Sequence, residues 1–208
     1  MTYQIKECNT PPRFQLITDD QALLDVCEQA RTQSAVALDT EFVRVRTLHP
    51  KLGLIQLYAG DEVALIDPTT IQDFSPFIAL LADESVLKVL HACGEDLEVF
   101  QHYFQQLPQP MCDTQVMANF LGFAGSAGFA TLVQHYFHIE IDKGASRTDW
   151  LARPLSEIQL RYAAADVWYL LPLYVQMQTQ LAQTEWQSAV KNECEFLLHK
   201  RAHAVKNP

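Results

Sequence analysis

Short apolar runs separated by turn-forming residues cover the first third of the chain, and this pattern predicts β-strands. The runs lie at 14–18, 36–38, 53–58 and 62–67. The last two are joined by Ala59-Gly60-Asp61, a short glycine-containing link that is typical of a β-hairpin. We therefore predict that the runs at 36–38, 53–58 and 62–67 form a three-stranded antiparallel meander.

Apolar residues recur at helical spacing between and after these strands. A first helix is predicted to begin at the capping residues Thr18 to Asp20 and to end at Ala30. One more buried strand is predicted at 87–91, and further helices are predicted at 74–81, 95–104, 113–121, 131–137, 154–173 and 185–204. The 154–173 helix should be interrupted or bent near Pro172, because proline has no N–H to donate. This order of elements predicts an α/β fold with a mixed sheet flanked by helices.

The bulk composition is that of one soluble globular domain. The chain has 208 residues, of which 49% are hydrophobic, so it can bury a substantial core. No stretch approaches the roughly 18 to 20 consecutive apolar residues that span a bilayer, and the first residues show no signal-peptide pattern. The 5 cysteines are widely spaced without a Cys-x-x-Cys pair, which argues against a disulfide framework or a zinc cluster. We expect an unexported, cytoplasmic protein with reduced thiols.

Candidate chemistry begins where the apolar run at 36–38 continues directly into Asp39 and Glu41. Residues i and i+2 of a strand point to the same face, so the two carboxylates should project together. Two acids this close raise the cost of each other's ionisation unless a cation lies between them. Their hard oxygen ligands favour Mg²⁺ or Mn²⁺. The alternative is a strand that merely ends in polar residues.

Two further acids follow elements that could bring them to the same place. Asp96 comes shortly after His91, where the 87–91 strand ends, and Gly94 permits a tight turn between them. Tyr162 and Asp166 are four residues apart and share one helix face, with three alanines between them that keep the helix slim. Alternatively, Asp96 is a helix N-terminal acid and Asp166 is solvated. Two other acids near loops are interpreted as a helix cap or support and as a local structural acid: Asp113 and Asp149.

The formal net charge of −10 disfavours a polyanionic partner when it is taken alone. The cations are unevenly placed, however, in two stretches that flank the candidate acids, 43–51 and 143–161. Their alternative interpretation is solvated surface. The basic residues in these stretches are Arg44, Arg46, Lys51, Lys143, Arg147, Arg153 and Arg161.

The motifs together resemble the Tyr-containing subclass of the DEDD superfamily of 3′-5′ exonucleases, and within it the catalytic domain of the ribonuclease D family. The segments that carry the resemblance are Asp39-Thr-Glu-Phe-Val, Leu54-Ile-Gln-Leu, 91–100, 146–154 and 162–172. The resemblance implies an RNase H-like fold and a single exonuclease domain over 1–208, with its core at about 14–182 and a C-terminal helix at 185–204. Ribonuclease D normally continues into helical HRDC domains; we expect a trimmed chain or a short relative.

The resemblance also implies an activity, a metal requirement and a substrate. It implies a 3′-5′ exoribonuclease that trims single-stranded 3′ ends of tRNA precursors and other structured RNAs, and releases nucleoside 5′-monophosphates. Two divalent ions, Mg²⁺ or Mn²⁺, would be held by Asp39, Glu41, Asp96 and Asp166, and Tyr162 would orient the attacking water. Their charge would offset the acidity of the protein at the site. No membrane and no stable protein partner is expected. The predicted substrate contacts are Phe42, His91, Lys143 and Arg147.

The same residues bear on three alternative functions. A 3′-5′ DNA exonuclease would use the same four acids, so the catalytic residues do not exclude it. A noncatalytic RNA-binding module has no reason to keep four mutually repelling acids. A structural Ca²⁺-binding domain of the EF-hand type would need a glycine-containing acidic loop that the chain lacks.

Overall fold

The computed structural model describes residues 10–204, which form a six-stranded mixed sheet in the order β1-β4-β3-β2-β5-β6. β2 pairs antiparallel with β3, and β3 with β4, which confirms the predicted meander; the pairs β1–β4, β2–β5 and β5–β6 are parallel. The strands are β1 Phe14–Ile17, β2 Ala35–Val43, β3 Lys51–Tyr58, β4 Val63–Ile66, β5 Leu87–Leu90 and β6 Met111–Asp113. The sequence pattern missed β6, because three residues are too few to show a period.

Eight helices in the described part of the chain flank the sheet, which confirms the predicted fold class. Some of them begin with ordinary side-chain caps: Asp19 accepts a hydrogen bond from the Ala22 N–H at 2.8 Å, and Ser156 and Gln159 form a capping box. The helices are α1 Asp20–Ala30, α2 Ser75–Ala82, α3 Gly94–Phe104, α4 Thr114–Phe120, α5 Phe129–Phe137, α6 Glu157–Trp168, α7 Leu170–Leu181 and α8 Gln187–Ala204.

The predicted helix over 154–173 is interrupted near Pro172, as the sequence indicated, but its predicted bounds were wrong. The structure has two helices, α6 and α7, which divide at Tyr169, and α7 continues to Leu181. Pro172 cannot donate a hydrogen bond to the carbonyl of Trp168, four residues earlier, and its ring crowds that carbonyl. The break therefore lies one turn before the proline rather than at it.

Side-chain alternation along β2 divides the core between the two faces of the sheet. Val36 and Leu38 belong to one buried cluster, whereas Ala37 belongs to the other, which includes Ala163 and Ala164 of α6. The odd-numbered positions of β2 therefore face α6.

Four cysteines are buried as free thiols, namely Cys27, Cys93, Cys112 and Cys194. The fifth, Cys8, lies outside the described residues. Between residues 10 and 204, no helix is both long and apolar enough to cross a membrane.

A β-bulge interrupts the pairing of β2 with β3 beside the candidate acids. Glu41 pairs with Leu54 and the next residue, Phe42, pairs with Leu52, so that Gly53 falls outside the register. An extra residue of this kind bends a strand and redirects the side chains around it. The bulge thus lies beside Glu41, on the strand that carries two of the four predicted acids.

Candidate active site

The candidate site lies where β5, the parallel partner of β2, ends. β5 pairs only with Ala35 to Ala37, so β2 continues past the end of β5 with Asp39 and Glu41 beyond that point. The carboxyl ends of parallel strands are the usual place for a ligand crevice in an α/β sheet. The odd-numbered acids of β2 face α6, which brings Asp166 from the other side.

Three of the predicted acids converge in this crevice. One carboxylate oxygen each of Asp39, Glu41 and Asp166 lies within 4.8 Å of the others. The close approach of α6 depends on Ala163 and Ala164, which are fully buried against the sheet. The alanines therefore keep the helix slim, because a larger side chain at either position would push Asp166 away from β2.

Removal from water is the main reason that these acids resist ionisation. Burial, followed by the charge of Asp39, raises the pKa of Glu41 to about 9. Burial and the neighbouring acids likewise hold the pKa values of Asp39 and Asp166 well above the usual range. Gln56 donates to Glu41 at 3.1 Å and the Thr40 N–H donates to Asp39 at 2.9 Å, but neither supplies a positive charge.

Asp96 lies next to this group rather than within it. Its carboxylate is buried at 6% exposure and accepts a hydrogen bond from the Thr40 hydroxyl at 2.5 Å. Burial raises its pKa to about 7, which the Thr40 hydroxyl counteracts. Asp96 contributes to the raised pKa of both Asp39 and Asp166, so its charge is felt across the crevice.

Tyr162 and two acids line a cavity of about 240 Å³ in this crevice, together with Phe129, Ala130, Ile141, Ser146 and Leu170. Burial, followed by the charge of Asp166, raises the pKa of Tyr162, and interaction with the Ser146 hydroxyl works in the opposite direction. The phenol therefore keeps its proton at neutral pH. It can donate a hydrogen bond into the cavity, but it is not a base there.

The four predicted substrate contacts occupy different places. His91 and Lys143 line the cavity, whereas Phe42 packs against the core and Arg147 is exposed and is not part of the cavity lining. Burial lowers the pKa of His91, so its ring is neutral at pH 7. One ring nitrogen lies 2.7 Å from the Thr114 hydroxyl and the other 3.0 Å from the Ala127 carbonyl. His91 therefore offers the cavity its ring rather than a charge.

Asp113 supports the loop that leads to Asp96. It caps α4 by accepting from the Gln115 N–H at 2.8 Å, and it accepts from the N–H groups of Ala92 and Cys93 at 2.9 and 3.0 Å. Ala92 has a positive φ of 52°, a conformation that costs energy for a residue with a Cβ. Asp113 is thus a helix cap, as predicted, and it also holds a strained turn in place. Asp149 accepts from the Leu151 N–H at 2.9 Å, as a local structural acid does.

Several supporting residues escaped the sequence-based prediction. Thr40 lies between Asp39 and Glu41, so strand alternation points it to the opposite face, toward α3 and Asp96. Gln56 is a fully buried amide on β3, and its position in an otherwise apolar run was the available signal. Ser146 and Phe129 line the cavity from irregular or loop-adjacent positions, where no periodic signal exists.

The donor set fits hard divalent cations. Buried carboxylates that repel one another are stable as anions only when a cation shares them, and carboxylate oxygens are the ligands that Mg²⁺ and Mn²⁺ prefer. Oxygens of Asp39, Glu41 and Asp166 lie within 4.8 Å of one another, so all three could bind the same ion. The acidic cluster can therefore bind metal, beside a tyrosine and a cavity that admits a ligand.

The chain is similar in sequence to proteins named ribonuclease D. The one from Haemophilus influenzae is 62% identical over 196 residues, and the one from Escherichia coli K12 is 52% identical over 192. These matches cover 94% and 92% of this chain. The chain spans about half the length of both relatives, 49% and 51%.

Solved structures with the same fold include E. coli RNase D, described as an exoribonuclease involved in structured RNA processing. It matches with a TM-score of 0.89 and 52% identity, over 91% of this chain and 50% of that one. Brucella melitensis NrnC with bound Mg²⁺ matches with a TM-score of 0.79 and 25% identity, over 95% of each chain.

The family assignment rests on a match that covers most of the described chain. Residues 14–182 match the sequence profile of the 3′-5′ exonuclease family, and this range includes all four predicted acids and Tyr162. The match confirms the resemblance that the motifs indicated. The chain belongs to the 3′-5′ exonuclease family.

Proposed function

We propose that the chain is a metal-dependent 3′-5′ exoribonuclease of the ribonuclease D type. The observation that supports this most is the convergence of Asp39, Glu41 and Asp166 to within 4.8 Å, beside the Tyr162 phenol and an open cavity. A group of acids that destabilises itself is expected where a cationic ligand is required for function. The high identity to ribonuclease D proteins supports RNA as the substrate.

Two divalent ions are the proposed cofactors. Asp39, Glu41 and Asp166 would hold the first, and Asp39 together with Asp96 would hold the second, since Asp96 lies beside the group and interacts electrostatically with Asp39. When bound, two such ions supply charge stabilisation for the attacking and leaving oxygens of an in-line phosphoryl displacement. The Mg²⁺ complex of a protein with the same fold supports this part of the proposal.

The chain's own residues would orient the reactants. The Tyr162 phenol keeps its proton and donates a hydrogen bond, so it positions the attacking water instead of deprotonating it. Lys143 places a cation at the cavity wall, where a phosphate of the substrate backbone could pair with it. His91 and Phe129 present rings at the same wall, 5.9 Å apart between centroids, and would contact the terminal base.

The proposed substrate is the single-stranded 3′ end of an RNA, with tRNA precursors as the natural class. Cleavage between the last two nucleotides would leave the phosphate on the released one, which departs as a nucleoside 5′-monophosphate. A duplex end is disfavoured, because the 3′-terminal nucleotide has to enter the cavity that Asp39 and Asp166 line.

A time course with 5′-labelled single-stranded RNA tests the proposal. We expect a ladder that shortens from the 3′ end in Mg²⁺ or Mn²⁺, none in EDTA, and none with Asp166→Asn. The matched control is Asp25→Asn, an acid on α1 that hydrogen bonds Gln21 at 2.9 Å, and it should leave the ladder unchanged. Shortening in EDTA, or full activity of Asp166→Asn, would contradict the proposal. Faster degradation of a matched DNA strand would assign the DNA exonuclease alternative instead.

A further inference from the structure

The segment between α5 and α6 crosses the mouth of the site without forming a helix or strand. We call residues 138–156 the strap. Irregular segments of this length in compact domains are generally functional or disordered. The strap carries Lys143 and Ser146 to the cavity and buries Trp150 to 1% exposure, so it is fixed to the body of the protein.

One arginine at the end of the strap makes most of the polar attachments. Arg153 donates to both carboxylate oxygens of Asp67, at 3.1 and 3.0 Å, which is a two-point ion pair. It also donates to the carbonyl of Gly53 at 2.7 Å and to the carbonyl of Trp150 at 2.8 Å. Asp67 is largely buried, with 8% of its side chain exposed. Arg153 is exposed in part, with 27% of its side chain accessible, but these contacts hold its guanidinium in one place.

The sheet offers a matching surface at the β-bulge. Gly53 lies outside the β2–β3 register, and its carbonyl is the one that accepts from Arg153. A Cβ at Gly53 would lie 2.4 Å from the carbonyl oxygen and 2.8 Å from the Cβ of Trp150. The strap backbone thus lies directly on the sheet at a position that only glycine permits.

The strap also contacts α6, the helix that carries Tyr162 and Asp166. The Trp150 ring packs against the Tyr162 ring, with centroids 6.0 Å apart and planes at 36°. Gln159 of α6 donates to the Thr148 hydroxyl at 2.9 Å and to the Asp149 carbonyl at 3.2 Å. The contacts therefore run from the sheet through Arg153 and Trp150 to Tyr162.

We propose that Arg153 and Gly53 are positioning residues for the reaction: they hold the strap on the sheet so that Trp150 fixes the Tyr162 phenol and Lys143 faces the cavity. This inference rests on the proposed exonuclease function, because it concerns the geometry of that site. Neither residue touches the cavity, so each acts through the strap.

Two variants disturb the attachment from opposite sides. Arg153→Lys keeps the charge but loses the two-point geometry, and Gly53→Ala adds the clashing Cβ. We expect each to lower kcat on single-stranded RNA by about 10-fold to 100-fold, with KM changed less than about 3-fold, because small misplacements near the reacting atoms have effects of this size. The matched controls are Arg31→Lys, which alters the 2.8 Å pair with Asp83, and Gly94→Ala, where a Cβ meets nothing within 4 Å.

A double-mutant cycle with Tyr162→Phe separates positioning from general stability. If Arg153 acts through Tyr162, Arg153→Lys should reduce kcat much less in the Tyr162→Phe background than in the wild type. Losses that multiply in full would overturn the inference. So would a variant with a lower unfolding temperature but wild-type kcat when folded, since that result assigns Arg153 to stability alone.

Trypsin cleavage at Lys143 and Arg147 reports the attachment without any assay of activity. We expect Arg153→Lys and Gly53→Ala to accelerate cleavage in the strap by about 10-fold or more relative to both controls, because local release exposes the segment. Unchanged cleavage would overturn the inference. A wild-type protein that does not shorten RNA, yet shows the protected strap and its release in the variants, would refute the proposed function and leave the attachment standing.

Discussion

Two charged sites lie on β2 and its neighbour β5, one within the β2–β5 pairing and one just beyond it, and their charges are partnered in opposite ways. Lys88 of β5 pairs with Val36 of β2 and is fully buried, yet its ammonium donates to the carbonyls of Asp83, Val86 and Gln109 at 2.7 to 2.8 Å. Three residues beyond Val36, Asp39 begins the acidic group, and no Lys or Arg within residues 10–204 forms an ion pair with Asp39, Glu41 or Asp166.

The two sites differ in whether the chain itself supplies partners for the charge. A buried charge is tolerated when the chain supplies its partners, and it destabilises the fold when they are missing. The chain supplies the partners of Lys88, whereas it supplies no cation to the acids within residues 10–204. An acidic group that lacks such partners is typical of sites where function requires perturbed groups, which supports the proposed metal site.

Asp39→Asn should have the largest effect of these variants, because it removes a central acid. We expect RNA degradation to fall by roughly 1,000-fold or more, as the loss of a major electrostatic contact at a reaction centre does. In EDTA the same variant should unfold at a higher temperature than the wild type, since one repelling carboxylate is gone. Activity assays and thermal unfolding check the two effects. A variant that is inactive but also less stable in EDTA would show that Asp39 has a structural partner.

Lys88→Met should show the reverse pattern. The three carbonyls lose a charged donor, so we expect the free energy of unfolding to fall by about 3 kcal/mol, and the unfolding temperature by about 6 to 12 °C. The kcat of the folded protein should not change. Denaturant unfolding and single-turnover kinetics below the transition measure both. A matched surface variant, Lys191→Met, should leave stability within about 0.5 kcal/mol of the wild type.

The pH dependence of the metal-free protein tests the acidic group directly. Its folded-state pKa values are raised, with Glu41 at about 9 against an ordinary 4.5. A group whose pKa is higher in the folded state stabilises that state fully at pH values below its ordinary pKa. This stabilisation is lost as the pH rises through the raised pKa. In EDTA the unfolding temperature should therefore fall between about pH 5 and pH 9, by ~5 °C. Saturating Mg²⁺ or Mn²⁺ should reduce this slope, and an unchanged slope would contradict a metal site.

Lys143→Ala should produce the smallest effect of these variants. Lys143 lines the cavity but forms no ion pair with the acids, so its loss should raise KM for RNA several-fold without changing metal-free stability. Arg147→Ala, at an exposed position outside the cavity lining, should raise KM less. Steady-state kinetics at two salt concentrations measure both. Equal effects would place the substrate path along both side chains.

Local patterns predicted the features that depend on local geometry. The i, i+2 spacing of Asp39 and Glu41 and the i, i+4 spacing of Tyr162 and Asp166 determine shared faces, and the hairpin link determines the meander. The roles of Lys88 and Arg153 depend on distant partners: Arg153 and Asp67 are 86 residues apart in sequence. No window along the chain reveals such a pair, which explains why Arg153 was grouped with surface cations.

The four acids come from three elements that lie far apart along the chain: β2 supplies two, α3 one and α6 the last. During synthesis, a chain that has emerged only as far as α5 has already made β2 and α3 but lacks Asp166 and Tyr162. In the proposed nuclease, such a nascent chain would lack one metal-binding acid and the tyrosine that orients the water, so it would not degrade the RNA that surrounds it. The order of the elements would thus delay activity until most of the domain has left the ribosome.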